Sequence, residues 1–374
     1  MYIHERPEWP EYRYDLGALM RDLEYANLRR GRLYGVLEAI GFDGVRSQDV
    51  DAITEELVKS SAIEGERLDL AVVRSSVARR LGVDRGGIVG SDHYVDGLVE
   101  MAMDAAKRFN EPLTAERIFN WHAALFPSGR NAYGSIAVGR WRDDAHGPMV
   151  VASQKGSREI VHFEAPHADR LPAEMGRFLD WFEATNETSL VLKAGIAHLW
   201  FETLHPMDDG NGRIGRNVMD LLLARADQQP HRPYSLASQI HRHRDEYYDT
   251  LEASQRGNLD YTRWLAWYLR MLCLSLDDAI AAVSAAMERN RFWQVHRDQP
   301  LNERQRKAIA RMLMGWEGRM TNRKYARLTT CSDATATRDL ADLVAKRMLR
   351  HDGAGGRSTA YELVPVAELD ELTV

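Results

Sequence analysis

The stretch HPMDDGNGRIGR at 205–216 concentrates residue types that bind and react with a polyanion. His205-Pro206 ends an apolar helical pattern over 196–204, because proline disfavours helix in the residue before it. Asp208, Asp209, Gly210, Asn211 and Gly212 read as a turn. A second helix starts near Asn211 and Gly212, with Ile214, Val218, Leu221 and Leu222 on its apolar stripe. The loop therefore runs into a helix N-terminus, where unpaired N–H groups and the helix dipole suit phosphate. Gly210 and Gly212 let the backbone approach phosphate oxygens without an intervening Cβ. Arg213 and Arg216 sit three apart in the first turn and project to the same side. Their guanidiniums complete an anion cradle. Asp209 is placed to hold a magnesium ion against bound phosphates. His205 stands on the other lip, and an imidazole of ordinary pKa, about 6.5, works as a general base at neutral pH.

Three plainer readings compete. Gly210-Asn211-Gly212-Arg213-Ile214-Gly215 has the G-x-G-x-x-G spacing of dinucleotide-binding folds, but that fingerprint must follow a strand, and a helical pattern precedes it here. A calcium loop with Gly212 at its sixth position would begin at Met207 and end at Val218, where carboxylates are required. A helix–loop–helix cap without chemistry would rarely combine His-Pro, paired Asp, two Gly and two Arg.

The elements that must position this loop are mostly helical. Apolar residues recur at three- and four-residue steps over 16–39, 51–63, 67–81, 92–109, 114–126, 172–184, 188–203, 213–226, 245–256, 260–288 and 302–315. Strand-like alternation is confined to 149–153 and 160–163, split by QKGSRE, and to 348–350 and 359–363, around DGAGGRS. The glycine-rich 82–90 and the polar 289–300 suggest boundaries. Hydrophobic content of 44% and charged content of 28% fit a soluble globular chain of two or three domains. The net charge of -6 argues against a protein built throughout to coat nucleic acid or an anionic membrane. Cys273 and Cys331 lie far apart and without CxxC spacing, which argues against a disulfide framework or a cysteine zinc site and fits a reducing compartment. No apolar leader or spanning run is present, so the expectation is a cytoplasmic protein with no membrane partner.

The 205–216 stretch resembles the signature of the Fic family, His-Pro-Phe-x-Asp/Glu-Gly-Asn-Gly-x-x-x-Arg with Arg after the last glycine. Only Met207 departs, at an apolar packing position that usually holds Phe. The resemblance extends over most of residues 1–290. It implies a mainly α fold, a Fic-type helical bundle with a small β-hairpin flap. It also implies transfer of AMP from ATP to a Ser, Thr or Tyr hydroxyl of a target protein. His205 would be the base, and Asp209 would hold Mg2+. Gly210, Asn211 and Gly212 would form the anion hole. Arg213 would contact the phosphates and Arg216 the γ-phosphate. Relatives that phosphorylate carry Lys at the position of Gly212, so glycine favours AMP transfer.

More distant residues follow from the same resemblance. Met149, Val150, Val151 and Ala152 match the edge of the flap that docks an extended target segment. By pattern alone this is a surface hairpin. Tyr247, Tyr248 and Gln255 match the adenine pocket, although aromatics at helical spacing are usually core. Ser60, Glu64 and Gly65 match the inhibitory motif Ser/Thr-x-x-x-Glu-Gly/Asn, with Gly65 as a helix C-cap. Glu64 would occupy the Arg216 fork and leave ATP in a non-productive pose. In some relatives this glutamate instead helps water remove AMP from the modified target. Relatives are often dimers, so a homodimer is the oligomer implied. Trp9, Tyr12 and Tyr14 begin a piece resembling a small helical domain that packs and places the brake helix.

The last segment reads as helices over 302–315, 321–328 and 332–346 and a glycine-rich wing, the order of a winged helix-turn-helix. Between Leu301 and Tyr361 there are 13 Lys+Arg against 6 Asp+Glu, whereas residues 1–300 carry 36 against 45. A basic domain of this kind contacts DNA through 332–346, or serves protein contacts. His241 and His243, with arginine neighbours, read as a solvated face rather than a metal site. The expected domains are 1–85 (helical, carrying the inhibitory motif), 86–290 (catalytic) and 300–374 (winged helix).

Overall fold

Helix α1 (Leu16–Ile63) runs unbroken for 48 residues, where the periodicity predicts two helices over 16–39 and 51–63. The stretch between them contains Gly41 and Gly44 but no proline. A glycine costs a helix interior about 1 kcal/mol, and proline about 3. Burial of Leu33, Leu37, Val50 and Leu57 outweighs that cost. The computed structural model describes all residues except 84–89, 91, 146, 156–157, 186–188, 231, 317, 352–358 and 371–374. Most of the expected 82–90 boundary, the centre of QKGSRE and all of DGAGGRS therefore lie outside the described residues.

The chain forms two compact units, Met1–Ala281 and Ala282–Val374. The first contains α1, α2 (Leu70–Arg80), α3 (His93–Lys107), α4 (Ala115–Leu125), α5 (Leu171–Glu183), α6 (Leu190–Leu204), α7 (Asn211–Asp227), α8 (Leu236–Arg242), α9 (Arg244–Gln255) and the start of α10 (Thr262–Val295). Asp69, Asp92 and Thr114 cap α2, α3 and α4 by accepting from first-turn N–H groups. Helix α6 is buried on every side from Val191 to Leu204, which makes it the core of this unit. Helix α8 escapes the sequence pattern because seven residues make only two turns. A hairpin, β1 (Val150–Lys155) with β2 (Arg158–Glu164), pairs antiparallel with a bulge between Val151 and Ala152.

The N-terminal arm lies across this core. Trp9 Nε1 donates to Glu174 (2.9 Å), and Trp181 Nε1 donates to the Tyr12 hydroxyl (2.8 Å), while Tyr12 stacks on Tyr261. Helix α1 is pinned along its length. Arg30 and Tyr34 both bond Asp227 of α7, and buried Glu56 accepts from Ser235 and from the Ala237 N–H. These bonds set the register that brings the C-terminal end of α1 over the start of α7.

In the second unit α11 (Glu303–Leu313), α12 (Asn322–Thr329) and α13 (Asp333–Ala345) pack on a three-stranded antiparallel sheet. Its order is β3 (Met320–Thr321), β5 (Ala360–Leu363), β4 (Leu349–His351). Ile309, Tyr325, Leu340, Leu343 and Met348 fill its core. The predicted helices and the second hairpin are present. Strand β3 is too short to leave a period in the sequence. Among the described residues no helix is long and apolar enough to cross a membrane.

Candidate active site

His205 caps α6 in the left-handed conformation, φ 46°. That backbone is costly for a residue with a Cβ, and its surroundings hold it there. The buried Arg142 guanidinium donates Nε–H to the His205 carbonyl (2.9 Å), the Arg142 N–H donates to the Pro206 carbonyl (2.9 Å), and Nη1 pairs with Asp144 (2.8 Å). Asn211 closes the loop from within. Its side-chain oxygen accepts the Met207 N–H, and its amide donates to the Met207 carbonyl, each at 2.8 Å. Met207 is fully buried, which suits its packing position.

Gly210 takes φ 79° as N-cap of α7, with no side chain capping the helix. The first helical bond runs from Ile214 N–H to the Gly210 carbonyl. The N–H groups of Asn211, Gly212 and Arg213 are thus the unpaired donors of a helix start. Two buried guanidinium N–H groups join them without an acceptor, Arg216 Nη1 and Arg213 Nε. A Cβ on Gly212 would lie 3.1 Å from that Arg216 nitrogen. Buried donors normally have partners, so these orphans make the α7 start a candidate anion site.

The residues of the expected inhibitory motif converge on the same place. Arg216, 1% exposed, donates Nε–H to Ser60 Oγ (2.8 Å) and Nη2–H to the Ser60 carbonyl (2.9 Å) and to Glu64 Oε1 (2.7 Å). Glu64 also covers Gly212, where an added Cβ would meet Glu64 Oε1 at 2.1 Å. Gly65 adopts φ 85°, the left-handed cap expected of it. The Tyr248 hydroxyl donates to the Ile63 carbonyl (3.1 Å), tying the end of α1 to α9.

Burial governs the titration of the site. It lowers the His205 imidazole to about 4, and Arg142 acts in the same direction against Glu64 and Asp209. Burial raises Glu202 to about 8, helped by Glu64 and opposed by Arg216. Glu202 is therefore protonated at pH 7 while His205, 3.9 Å away, is neutral and able to accept a proton. An NMR titration should find the His205 imidazole neutral from pH 8 down to about pH 5, with its midpoint near 4. The neutral form is lost as pH falls through that value. A midpoint at about 6.5, the unperturbed value, would contradict this account.

A cleft of about 770 Å³ gathers Glu64, Met149, Val150, Val151, Ala152, His205, Asp209, Gly210, Asn211, Gly212, Arg213, Tyr247, Tyr248 and Gln255. Its size is that of a small-molecule site. Tyr247 is buried, its hydroxyl meeting His198 Nε2 at 3.0 Å, while Tyr248 is 37% exposed. Gln255 donates its amide to the Glu202 carbonyl. Strand β1 pairs only with β2 among the described strands, and residues of both strands line the cleft. Both Asp209 oxygens already accept bonds, Oδ1 from the Gly210 N–H (2.6 Å) and Oδ2 from Asn131 (2.8 Å). Each keeps a lone pair for a metal. His241 and His243 are half-buried rather than solvated, and His243 Nδ1 meets the Gln239 carbonyl at 3.0 Å.

Sequence reasoning missed Arg142, Glu202, Asn131, His122, Glu66 and Tyr94. His122 holds the loop through the Asp209 carbonyl (3.2 Å). None stands in a turn or a periodic motif with the loop. Glu202, one turn before His205 on the same helix, is the exception, and its spacing was the available signal.

Comparison with known proteins bears on this geometry. Residues 112–223 match the Fic/DOC family, and residues 2–83 match a domain of unknown function, DUF4172. The first of these matches takes in the 205–216 loop and the helices on either side of it. It is 27% identical to protein adenylyltransferase Fic of Culex quinquefasciatus over 60% of this chain and 41% of that protein. It is 26% identical to protein adenylyltransferase Fic of Drosophila melanogaster over 66% of this chain and 46% of that one. The chain spans less than half the length of these curated relatives. A crystal structure of a Fic family protein from Desulfovibrio desulfuricans superposes with TM-score 0.53, at 21% identity, covering 92% of this chain and 95% of the other. A Fic domain containing signaling protein from Bacteroides thetaiotaomicron gives TM-score 0.51 at 19% identity, covering 68% and 97%. The mostly helical architecture is that of these Fic structures.

Proposed function

We propose that this chain is a self-inhibited protein adenylyltransferase using ATP. The observation that carries the reading is the cluster of orphaned N–H donors on Arg213 and Arg216, beside the open α7 terminus and opposite a neutral imidazole. Arg216 would take the γ-phosphate, and Arg213 and the N–H groups of 211–213 the inner phosphates. His205 accepts the proton of a Ser, Thr or Tyr hydroxyl as that oxygen bonds to the α-phosphorus. The bond from α-phosphorus to the bridging oxygen breaks, and pyrophosphate leaves. Asp209 would ligate Mg2+, with phosphates and water completing the shell, as magnesium prefers. That ion would supply charge neutralisation on the phosphates. The unpaired edge of β1 would hold the target segment by backbone bonds. Tyr248 and Gln255 would bound the adenine. Incubation with α-labelled ATP should label a target in cell lysate or the chain itself; no labelled protein from a chain lacking Glu64 would refute the reading.

Self-inhibition is supported by the position of Glu64, which fills the Arg216 fork and lies on Gly212. Its engagement with Arg216 favours the brake over water activation for AMP removal.

We infer DNA binding as a second activity from the C-terminal unit, whose three helices and three-stranded sheet fit the winged-helix reading. Four of its acidic side chains are paired internally: Asp339 by Arg304, Asn302 and Tyr325, Asp342 by Lys346 and Gln305, and Glu362 and Glu368 by Arg350. Arg323, Arg327 and Arg338 are exposed with no carboxylate partner among the described residues. The full chain should retain duplex DNA at roughly 50 mM salt and release it steeply by about 200 mM. Arg338→Glu should weaken retention, and His205→Ala should leave it intact. Absence of retention at low salt would remove DNA as a partner.

A further inference from the structure

The segment that carries Glu64 presents a second carboxylate to the other arginine of the loop. Arg213, 2% exposed, places Nη1 at 3.1 and 3.0 Å from the two oxygens of Glu66. Tyr94 of α3 completes a triad: its hydroxyl donates to Glu66 Oε2 and accepts from Arg213 Nη1. The other carboxylate near Arg213, Asp209, stands farther off, 3.5 Å from Nη2.

The backbone explains why one short segment reaches both arginines. At the end of α1 the Gly65 N–H donates to the Ala62 carbonyl and the Glu66 N–H to the Ser61 carbonyl, at 3.1 and 3.0 Å. This is a Schellman cap, which needs a left-handed residue in the place of Gly65. The reversal sets Glu64 and Glu66, on either side of that glycine, over the first turn of α7. Arg213 and Arg216 lie three residues apart on that turn. One capping turn therefore delivers one carboxylate to each guanidinium.

We propose that Glu66, shared with Tyr94, is a second latch that occupies Arg213 until nucleotide phosphates displace it. The inference rests on the reading of Arg213 as a phosphate ligand. The two latches differ in burial and so in effect. The Glu66 side chain is 41% exposed and its carboxylate can swing into water, leaving no buried anion behind. It competes with phosphate for Arg213, so it sets nucleotide affinity. Glu64 lies on Gly212 within the anion site and sets whether the bound pose reacts.

The test is made in the Glu64→Gly chain, with ATP affinity measured by calorimetry and label transfer measured beside it. Adding Glu66→Gln should tighten ATP binding roughly 5-fold, the size of a half-exposed ion pair. The turnover number at saturating ATP should change less than about 2-fold, because uniform binding alters KM and not kcat. Tyr94→Phe, which removes only the shared hydroxyl, should tighten binding by a smaller factor. Unchanged affinity with transfer intact would overturn the latch and spare the transferase reading. Weaker binding would also overturn it, by showing that Glu66 orients Arg213 for phosphate. Tighter binding in a chain that transfers no label would uphold the latch and sink the transferase reading.

Discussion

Replacing Glu64 with glycine is expected to raise AMP transfer to protein by roughly 100-fold, the factor that corresponds to losing about 3 kcal/mol of a hydrogen-bonded, largely buried charge pair. The contact removed is the 2.7 Å bond to Arg216 Nη2, together with the carboxylate that covers Gly212. Both must clear before triphosphate can lie along the α7 terminus in a reactive pose. The same change leaves the Arg216 guanidinium buried with only Ser60 to satisfy it. The variant should therefore melt at a lower temperature than the parent chain, and ATP should restore much of the difference. Labelling with α-labelled ATP and a thermal melt measure the two effects on one sample. A transfer rate within about 2-fold of the parent would show that Glu64 is not the brake.

Substituting His205 with alanine in that activated chain is expected to lower transfer by roughly 1,000-fold, the middle of the range for a positioned general base. The imidazole is a neutral base at the loop itself, since burial holds it near 4, while burial raises its neighbour Glu202 to about 8. Loss of Glu64 removes a charge that had raised the His205 pKa, so the imidazole stays neutral in the variant. ATP affinity should change little, because the orphaned donors belong to Arg213, Arg216 and the α7 backbone. A fall in affinity that matches the fall in rate would move His205 from proton transfer to nucleotide binding.

Much of the loop is legible in the sequence. Turn residues before an apolar helical stripe place Gly210 at a helix start, and the structure gives that residue a left-handed backbone and leaves the N–H groups after it open. The i, i+3 spacing of Arg213 and Arg216 puts both on one turn. The hairpins and most helices follow from local periodicity in the same way. Where local pattern failed, a longer-range term decided. The helical period lapses between 39 and 51, and packing of α1 carries the helix through that stretch. Tyr247 has the spacing of a core aromatic and of a pocket wall, and it serves as both, buried and lining the cleft.

The sequence by itself determined the chemistry available: an imidazole, a glycine-bearing helix start and two guanidiniums within twelve residues. Those properties depend on neighbouring dihedrals and helical spacing, which act over a few residues. Tertiary structure decided what those groups meet. Glu64 reaches Arg216 across 152 residues, Glu66 reaches Arg213 across 147, and Arg142 supports the His205 carbonyl across 63. The pairing of Glu64 with Arg216 was available beforehand only through family resemblance, and that of Glu66 not at all. The protonation of His205 and Glu202 likewise came from burial, a property of the packed core. Pairing and desolvation depend on which distant surfaces the fold brings together, and no local spacing encodes them.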